Sequence, residues 1–157
     1  RFFFVLADID VYDRSIIDYH IGTSCTGQNA FETLKRALWK RQQYDQKEKP
    51  VVRSDNGPQF ISHAFTQGCE KLEIEHERIP PKTPNMNAHI ESFHRILEDD
   101  CLSRYEFQTY EEVHQVVSEF MKFYNEVSMH GSIQDMAPME FFEKNKHMAI
   151  KIKEIRV

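Results

Sequence analysis

Two carboxylates stand where a sequence tends to place reactive groups. Asp55, in "VVRSDNGPQF", follows two β-branched residues and is followed at once by Asn56, Gly57 and Pro58. Glu91, in "NAHIESFHRIL", stands one residue into an apolar-periodic stretch, directly after the breaker-rich "PPKTPNMNAH". Thirty-five residues lie between them. The carboxyl ends of strands in α/β sheets are where ligand sites form, so a strand-tip Asp and a helix-borne Glu can meet at one rim. Carboxylates held together repel each other and call for cations, and hard oxygen ligands suit Mg²⁺ or Mn²⁺. Two such ions about 4 Å apart activate an attacking oxygen and stabilise a leaving oxygen on phosphorus. Each residue also has an ordinary local reading. "SDNG" is good turn chemistry, and a first-turn Glu is favoured by the helix dipole.

The elements that must position this pair can be read from periodicity and caps. "FFFVLADID" (2–10) reads as a buried strand and "SIIDYHIG" (15–22) as its hairpin partner. Ala30, Phe31, Leu34, Ala37, Leu38 and Tyr44 recur at helical spacing, with Thr26 or Gln28 near the start. "VVRS" is a short central strand. "SHAFTQGCEKL" is a short helix capped by Ser62, with Ala64, Phe65, Cys69 and Leu72 on one face. "EIEHERIP" alternates as a strand does. Ile90, Phe93, Ile96, Leu97 and Cys101 make the stripe of the helix that carries Glu91. In the longest helix Thr109 and Glu112 form a capping box, and Val113, Val116, Val117, Phe120, Phe123 and Tyr124 face the core. Pro138 suits a first helical turn, and the tail "IKIKEIRV" is a strand or an ordered arm. The order strand, strand, helix, strand, helix, strand, loop, helices is an α/β layout with an antiparallel edge and a parallel part.

Bulk properties bound the rest. At 157 residues with 40% hydrophobic content, the chain suits one domain with a substantial core. No run of eighteen apolar residues predicts a membrane span, and Asp8 and Asp10 interrupt the first apolar run, so it does not read as a signal peptide. Three widely spaced cysteines predict buried thiols in a reducing compartment, hence a cytoplasmic protein. The net charge of −5 counts against a general nucleic-acid binder, which is usually basic.

The two carboxylate motifs at this spacing resemble the catalytic core of retroviral integrases and insertion-sequence transposases. "FFFVLADIDVYDRSIIDYHIG" resembles the family's second and third strands, and "FYNEVSMHGSIQDMAPMEFF" resembles the C-terminal stretch of the bacterial transposases. The resemblance implies a ribonuclease-H-like mixed sheet flanked by helices. It also implies three carboxylates holding two divalent metals, Mg²⁺ or Mn²⁺, with Asp55 matching the second and Glu91 the third. The first is carried on a strand preceding the hairpin, so residues 1–157 are expected to be a single core domain lacking that strand and the DNA-binding segments upstream. Asp10 matches a non-catalytic position, Asp8 lies on the same strand, and neither is assigned. The implied activity is transposition or integration: strand cleavage, then transfer to target DNA. DNA is the implied partner, with a homodimer or higher assembly. A site short of one ligand is expected to be poorly active in isolation. A purely hydrolytic nuclease and a non-catalytic DNA-binding or dimerisation module are the alternatives.

The resemblance also makes "KTPNMNAH" a loop that positions DNA, with Lys82, Thr83, Asn85, Asn87 and His89 as contacts. Arg95, one helical turn after Glu91, suits a phosphate or an ion pair with Asp99. Glu-x-x-His spacing fits a carboxylate-bridged metal, yet for His94 a packing or solvated role is preferred. Where the family often carries Lys seven residues after the catalytic Glu, this chain has Glu98. The basic stretch containing Trp39 reads as a solvated face or, alternatively, as a DNA or dimer surface.

Overall fold

The computed structural model describes residues 2–80, 88–148 and 153–157. β1 (Phe4–Asp10) and β2 (Ile16–Gly22) form an antiparallel hairpin in which Asp8 faces Asp18 across the ladder. Asp10 closes the turn. Its carboxylate accepts from the Tyr12 amide at 2.8 Å and its carbonyl from the Arg14 amide at 2.8 Å. α1 (Gly27–Lys40) follows, capped by Thr26, whose hydroxyl accepts from the Asn29 amide. β3 (Val51–Ser54) leads through α2 (Pro58–Ile61) and α3 (His63–Lys71) to β4 (His76–Arg78), parallel to β3. α4 (Ala88–Asp100), α5 (Tyr110–Glu126) and α6 (Pro138–Asn145) complete the helical part.

The tail resolves into β5 (Glu154–Arg156), and its place is central. It runs parallel to β3 and antiparallel to β1, giving the sheet order β2-β1-β5-β3-β4. The mixed five-stranded sheet is therefore continuous only because residues near the C-terminal end join the hairpin to the parallel half. Ile155, 1% exposed, fixes this insertion by burying its side chain beneath α1 and α3.

Strand alternation divides the core into two layers. Leu6, Leu34, Leu38, Val52 and Phe65 pack on one face; Ala7, Ile9, Phe93, Val117 and Tyr124 pack on the other. Burying a side chain such as Phe65 or Phe93 contributes about 1.5–3 kcal/mol. α5 is tied to the hairpin by Asn125, whose amide accepts from the Ile16 N–H at 2.7 Å and donates to the Ile16 carbonyl at 2.8 Å. Three local expectations are corrected. Ala64 is exposed and Gly68 takes its place on the buried face of α3, because the ring of Phe31 leaves no room there: a Cβ on Gly68 would stand 2.5 Å from it. Phe123 is 53% exposed, since α5 turns that flank away from α4. The second half of the α5 capping box is displaced by one residue, with Glu112 accepting from the Gln108 amide.

One buried group strains this core. Asp8 is 0% exposed and neither carboxylate oxygen has a partner among the described residues. Burial, then the charge of Asp18, raises its pKa well above the ordinary carboxylate value, against the pull of Arg36. The folded state therefore holds the proton more tightly than the unfolded chain. Stability from this group is fully present below the unfolded value near 3.8 and declines as pH rises toward the folded value. Asp8→Val removes an unsatisfied buried polar group and is expected to stabilise the fold by about 1–3 kcal/mol at neutral pH. Urea unfolding at pH 5 and pH 8 should show a larger gain at the higher pH. A loss of stability at pH 8 would refute the assignment.

Candidate active site

The site begins with the way β3 ends. Val52 and Ser54 are both fully buried, so the strand is anchored up to its last residue. The Ser54 hydroxyl bonds the His76 ring at 2.8 Å, and its carbonyl accepts from the Ile79 amide at 2.7 Å. The next residue, Asp55, is exposed. Its Oδ1 accepts from the Gly57 amide at 2.8 Å, and Asn56 donates to the Ile79 carbonyl at 3.0 Å. Asp55 is thus a turn residue as read locally, and the same turn holds its carboxylate at the sheet edge. Gly57 permits that closure: a Cβ there would lie 2.9 Å from Gln59 Oε1 and 3.0 Å from Asp55 Oδ1.

Glu91 is delivered by the register of α4. Ile90, Phe93 and Leu97 are buried and fix the helix rotation, with Phe93 edge-on to Tyr124 of α5 at 5.1 Å. Glu91 then lies on the flank of that stripe and, three residues on, His94 shares its side. A cavity of about 370 Å³ is lined by Asp55, Gln59, Glu91, His94 and Cys25 over an apolar floor of Val5, Ala7, Ile90 and Val157. The two carboxylates singled out from the sequence therefore open onto one space. Burial lowers the pKa of His94, and the nearby charge of Asp55 opposes that shift. Burial raises the pKa of Cys25 and keeps it a thiol at neutral pH.

The remaining candidates separate. Asp8 is enclosed in the core, and Asp10 sits at the far end of β1 with Arg41 at 3.3 Å. A larger cavity, about 410 Å³, opens there beside Asp10, Asp13 and Arg41. It shares no residue with the Asp55 cavity, and its carboxylates are already held by Arg41. His89 lies in the first turn of α4, half-buried and outside the Asp55 cavity. Its pKa is lowered by burial and then by Arg14 and Arg156, with Glu154 opposing. Arg95 is exposed, and it does not line the cavity. Among the described residues it has no ion pair, so the pairing with Asp99 does not form. Lys82, Thr83, Asn85 and Asn87 lie outside the described residues.

The Glu-x-x-His spacing places His94 on the same cavity as Glu91, half-buried with its ring edge-on to Phe93, which agrees with the packing role preferred from the sequence. Cys25, Gln59 and Val157 carried no local signal. Among the described residues no three His, Cys, Asp or Glu side chains are grouped so as to hold a metal ion. The donor set that does face the cavity, two exposed carboxylates, fits a hard divalent cation in kind.

Comparison with known proteins adds three findings. Two models described as integrase core domain match residues 1–84 and 72–138. Among curated relatives, the uncharacterized 39.2 kDa protein of insertion element IS476 from Xanthomonas euvesicatoria is 31% identical over 136 residues, covering 87% of this chain and 38% of its own length. Transposase InsF for insertion sequence IS3A from Escherichia coli K12 is 25% identical over 138 residues, covering 87% and 47%. The chain thus spans half or less of these relatives. Among solved structures, the catalytic core domain of BIV integrase aligns with a TM-score of 0.62 at 21% identity, covering 91% of this chain and 87% of that one. The HTLV-2 integrase catalytic core in complex with magnesium gives 0.58 at 16%, covering 85% and 80%. The fold is that of these cores, ribonuclease-H-like.

Proposed function

Because this chain belongs to the integrase core domain family, we propose that the Asp55–Glu91 cavity is a metal-dependent phosphoryl-transfer site acting on DNA. The observation that carries this reading is the convergence of a strand-tip Asp and a helix-borne Glu on one cavity. Asp55 and Glu91 would hold Mg²⁺ or Mn²⁺, which supplies charge neutralisation at phosphorus and activation of an attacking oxygen. The chain's own contribution is positional. The Asp55 turn is tied to β4 through Asn56, and Glu91 is fixed by the packing of Phe93, so the separation of the two carboxylates is set by rigid elements. The apolar floor limits water beneath the reacting phosphate. The reaction class is hydrolytic strand cleavage followed by in-line attack of a 3′-hydroxyl on target DNA, with element ends and target as substrates and at least two copies in the assembly. The integrase and transposase names among the relatives support the substrate class. Lys82, Thr83, Asn85, Asn87, His89 and Arg95 are the proposed DNA contacts. The acidic net charge of −5 is consistent with a site that meets phosphate through cations. No helix among the described residues is long and apolar enough to cross a membrane.

Two carboxylates bind a divalent ion more weakly than three, so the isolated chain is expected to bind Mn²⁺ weakly and to join DNA strands poorly. Electron paramagnetic resonance of free Mn²⁺ measures the first. Asp55→Asn and Glu91→Gln should each abolish the weak binding. Mn²⁺ uptake unchanged in both variants would remove the metal from the proposal, and efficient strand transfer by the purified chain would contradict the expected impairment.

A further inference from the structure

Resting on the reading of this cavity as a phosphoryl-transfer site, we propose that His94 contacts the substrate there, its ring N–H donating to a non-bridging oxygen of the phosphodiester. The polar inventory of the cavity makes the case. Asp55 and Glu91 are acceptors only when ionised, so beyond the cations they would hold they offer a phosphodiester oxygen no hydrogen-bond donor. The Cys25 thiol is a weak one. Gln59 also lines the cavity, with its Oε1 beside Gly57 of the Asp55 turn. His94 is the donor carried beside Glu91, on the same flank of α4 and lining the same space. Its ring is steadied edge-on against Phe93 at 5.4 Å and 66°. Among the described residues nothing accepts a hydrogen bond from it. A neutral imidazole carries one N–H, and with no partner fixing either ring nitrogen among the described residues the tautomer that turns it toward the phosphodiester is open to it. A half-buried polar ring held rigidly, with its hydrogen-bonding capacity unspent, is the arrangement expected of a ligand contact.

Cys25 provides a readout that does not depend on turnover. It is half-buried on the cavity wall, whereas Cys69 and Cys101 are 1% and 3% exposed, so alkylation of the native chain reports on Cys25. The probe is the thymidine dinucleotide TpT, which has a single phosphodiester, in Mg²⁺-containing buffer. TpT should slow alkylation of Cys25 in the wild-type chain and shift the ring ¹⁵N resonances of His94. His94→Ala should weaken that protection about tenfold, the scale of one hydrogen bond to a charged group. His94→Gln retains an N–H donor and should restore most of it. Equal protection in wild type and His94→Ala would overturn the His94 contact while leaving the site reading intact. His94→Gln as weak as His94→Ala would show that the ring acts by packing and overturn the donor role. No protection of Cys25 in the wild-type chain would overturn the contact, and only with Mn²⁺ uptake also unchanged in Asp55→Asn and Glu91→Gln would it overturn the reading it rests on.

Discussion

Asp55→Asn and Glu91→Gln are each expected to reduce DNA strand cleavage and joining by at least about a thousandfold, assayed in the protein as its gene expresses it, with its own element ends. The magnitude follows from removing an anionic ligand from a site whose charge stabilisation supplies most of the rate, where even one lost hydrogen-bond donor costs 10²–10³. Both substitutions are nearly isosteric and both residues are exposed, so stability should stay within about 0.5 kcal/mol. Asp55→Asn also keeps the turn, since an amide oxygen can still accept from the Gly57 amide. An inactive but equally stable variant therefore reports on chemistry and not on folding. Retained cleavage in either variant would remove that carboxylate from the mechanism. Cleavage without any joining by the wild-type protein would favour the hydrolytic nuclease. No activity in wild type or variants, with DNA binding intact, would favour the non-catalytic module.

Arg41→Ala is expected to cost about 3–5 kcal/mol at pH 7, the scale for removing one partner of a buried ion pair. The Arg41 side chain is 10% exposed and meets Asp13 at 2.8 Å and Asp10 at 3.3 Å. It also donates to the Ser15 hydroxyl, and its guanidinium stacks over the ring of Phe142 at 3.9 Å. No other cation forms an ion pair with Asp10 or Asp13 among the described residues, and although the charge of Arg14 reaches both, the truncation leaves two carboxylates facing each other at the hairpin turn. Even with Arg41 present, burial and then the charge of Asp13 push Asp10 up to about 6, against the opposing pull of Arg41 and the turn amides. A raised carboxyl pKa means stability is lost as pH climbs from the unfolded value near 3.8 toward about 6. Without Arg41 that loss deepens, so the variant should recover part of its stability on acidification to pH 5. Denaturant unfolding at pH 5 and pH 7 measures this, and Arg41→Ala/Asp13→Asn should lie closer to wild type than Arg41→Ala. A variant equally destabilised at both pH values would show that Arg41 acts through its stacking on Phe142.

Much of the fold was legible because local rules and tertiary packing agree. The hairpin, the Thr26 and Ser62 caps, the β3 strand and the stripe of α4 all appear where periodicity and capping residues put them. The local placement of the two carboxylates that line the cavity was legible for a related reason. Asp55 is held by its own turn, and Glu91 by the helical register beside Ile90 and Phe93, so each depends on a few adjacent residues.

What the amino-acid order alone determined is this set of elements, with Asp55 at a strand tip and Glu91 in a first helical turn. What only the tertiary structure decided is how the sheet is joined and what else reaches the rim. β5 pairs with two strands more than one hundred residues away in sequence, and three residues with no turn signal of their own cannot announce such partners. Its insertion brings Val157 to the cavity floor. The contributions of Cys25 from the β2–α1 connection and of His94 likewise follow from where α1 and α4 dock against the sheet. Side-chain type and spacing specify local geometry over about one helical turn or one strand. The composition of a cavity is set by contacts between segments far apart in the chain, and these form only when the apolar faces have packed.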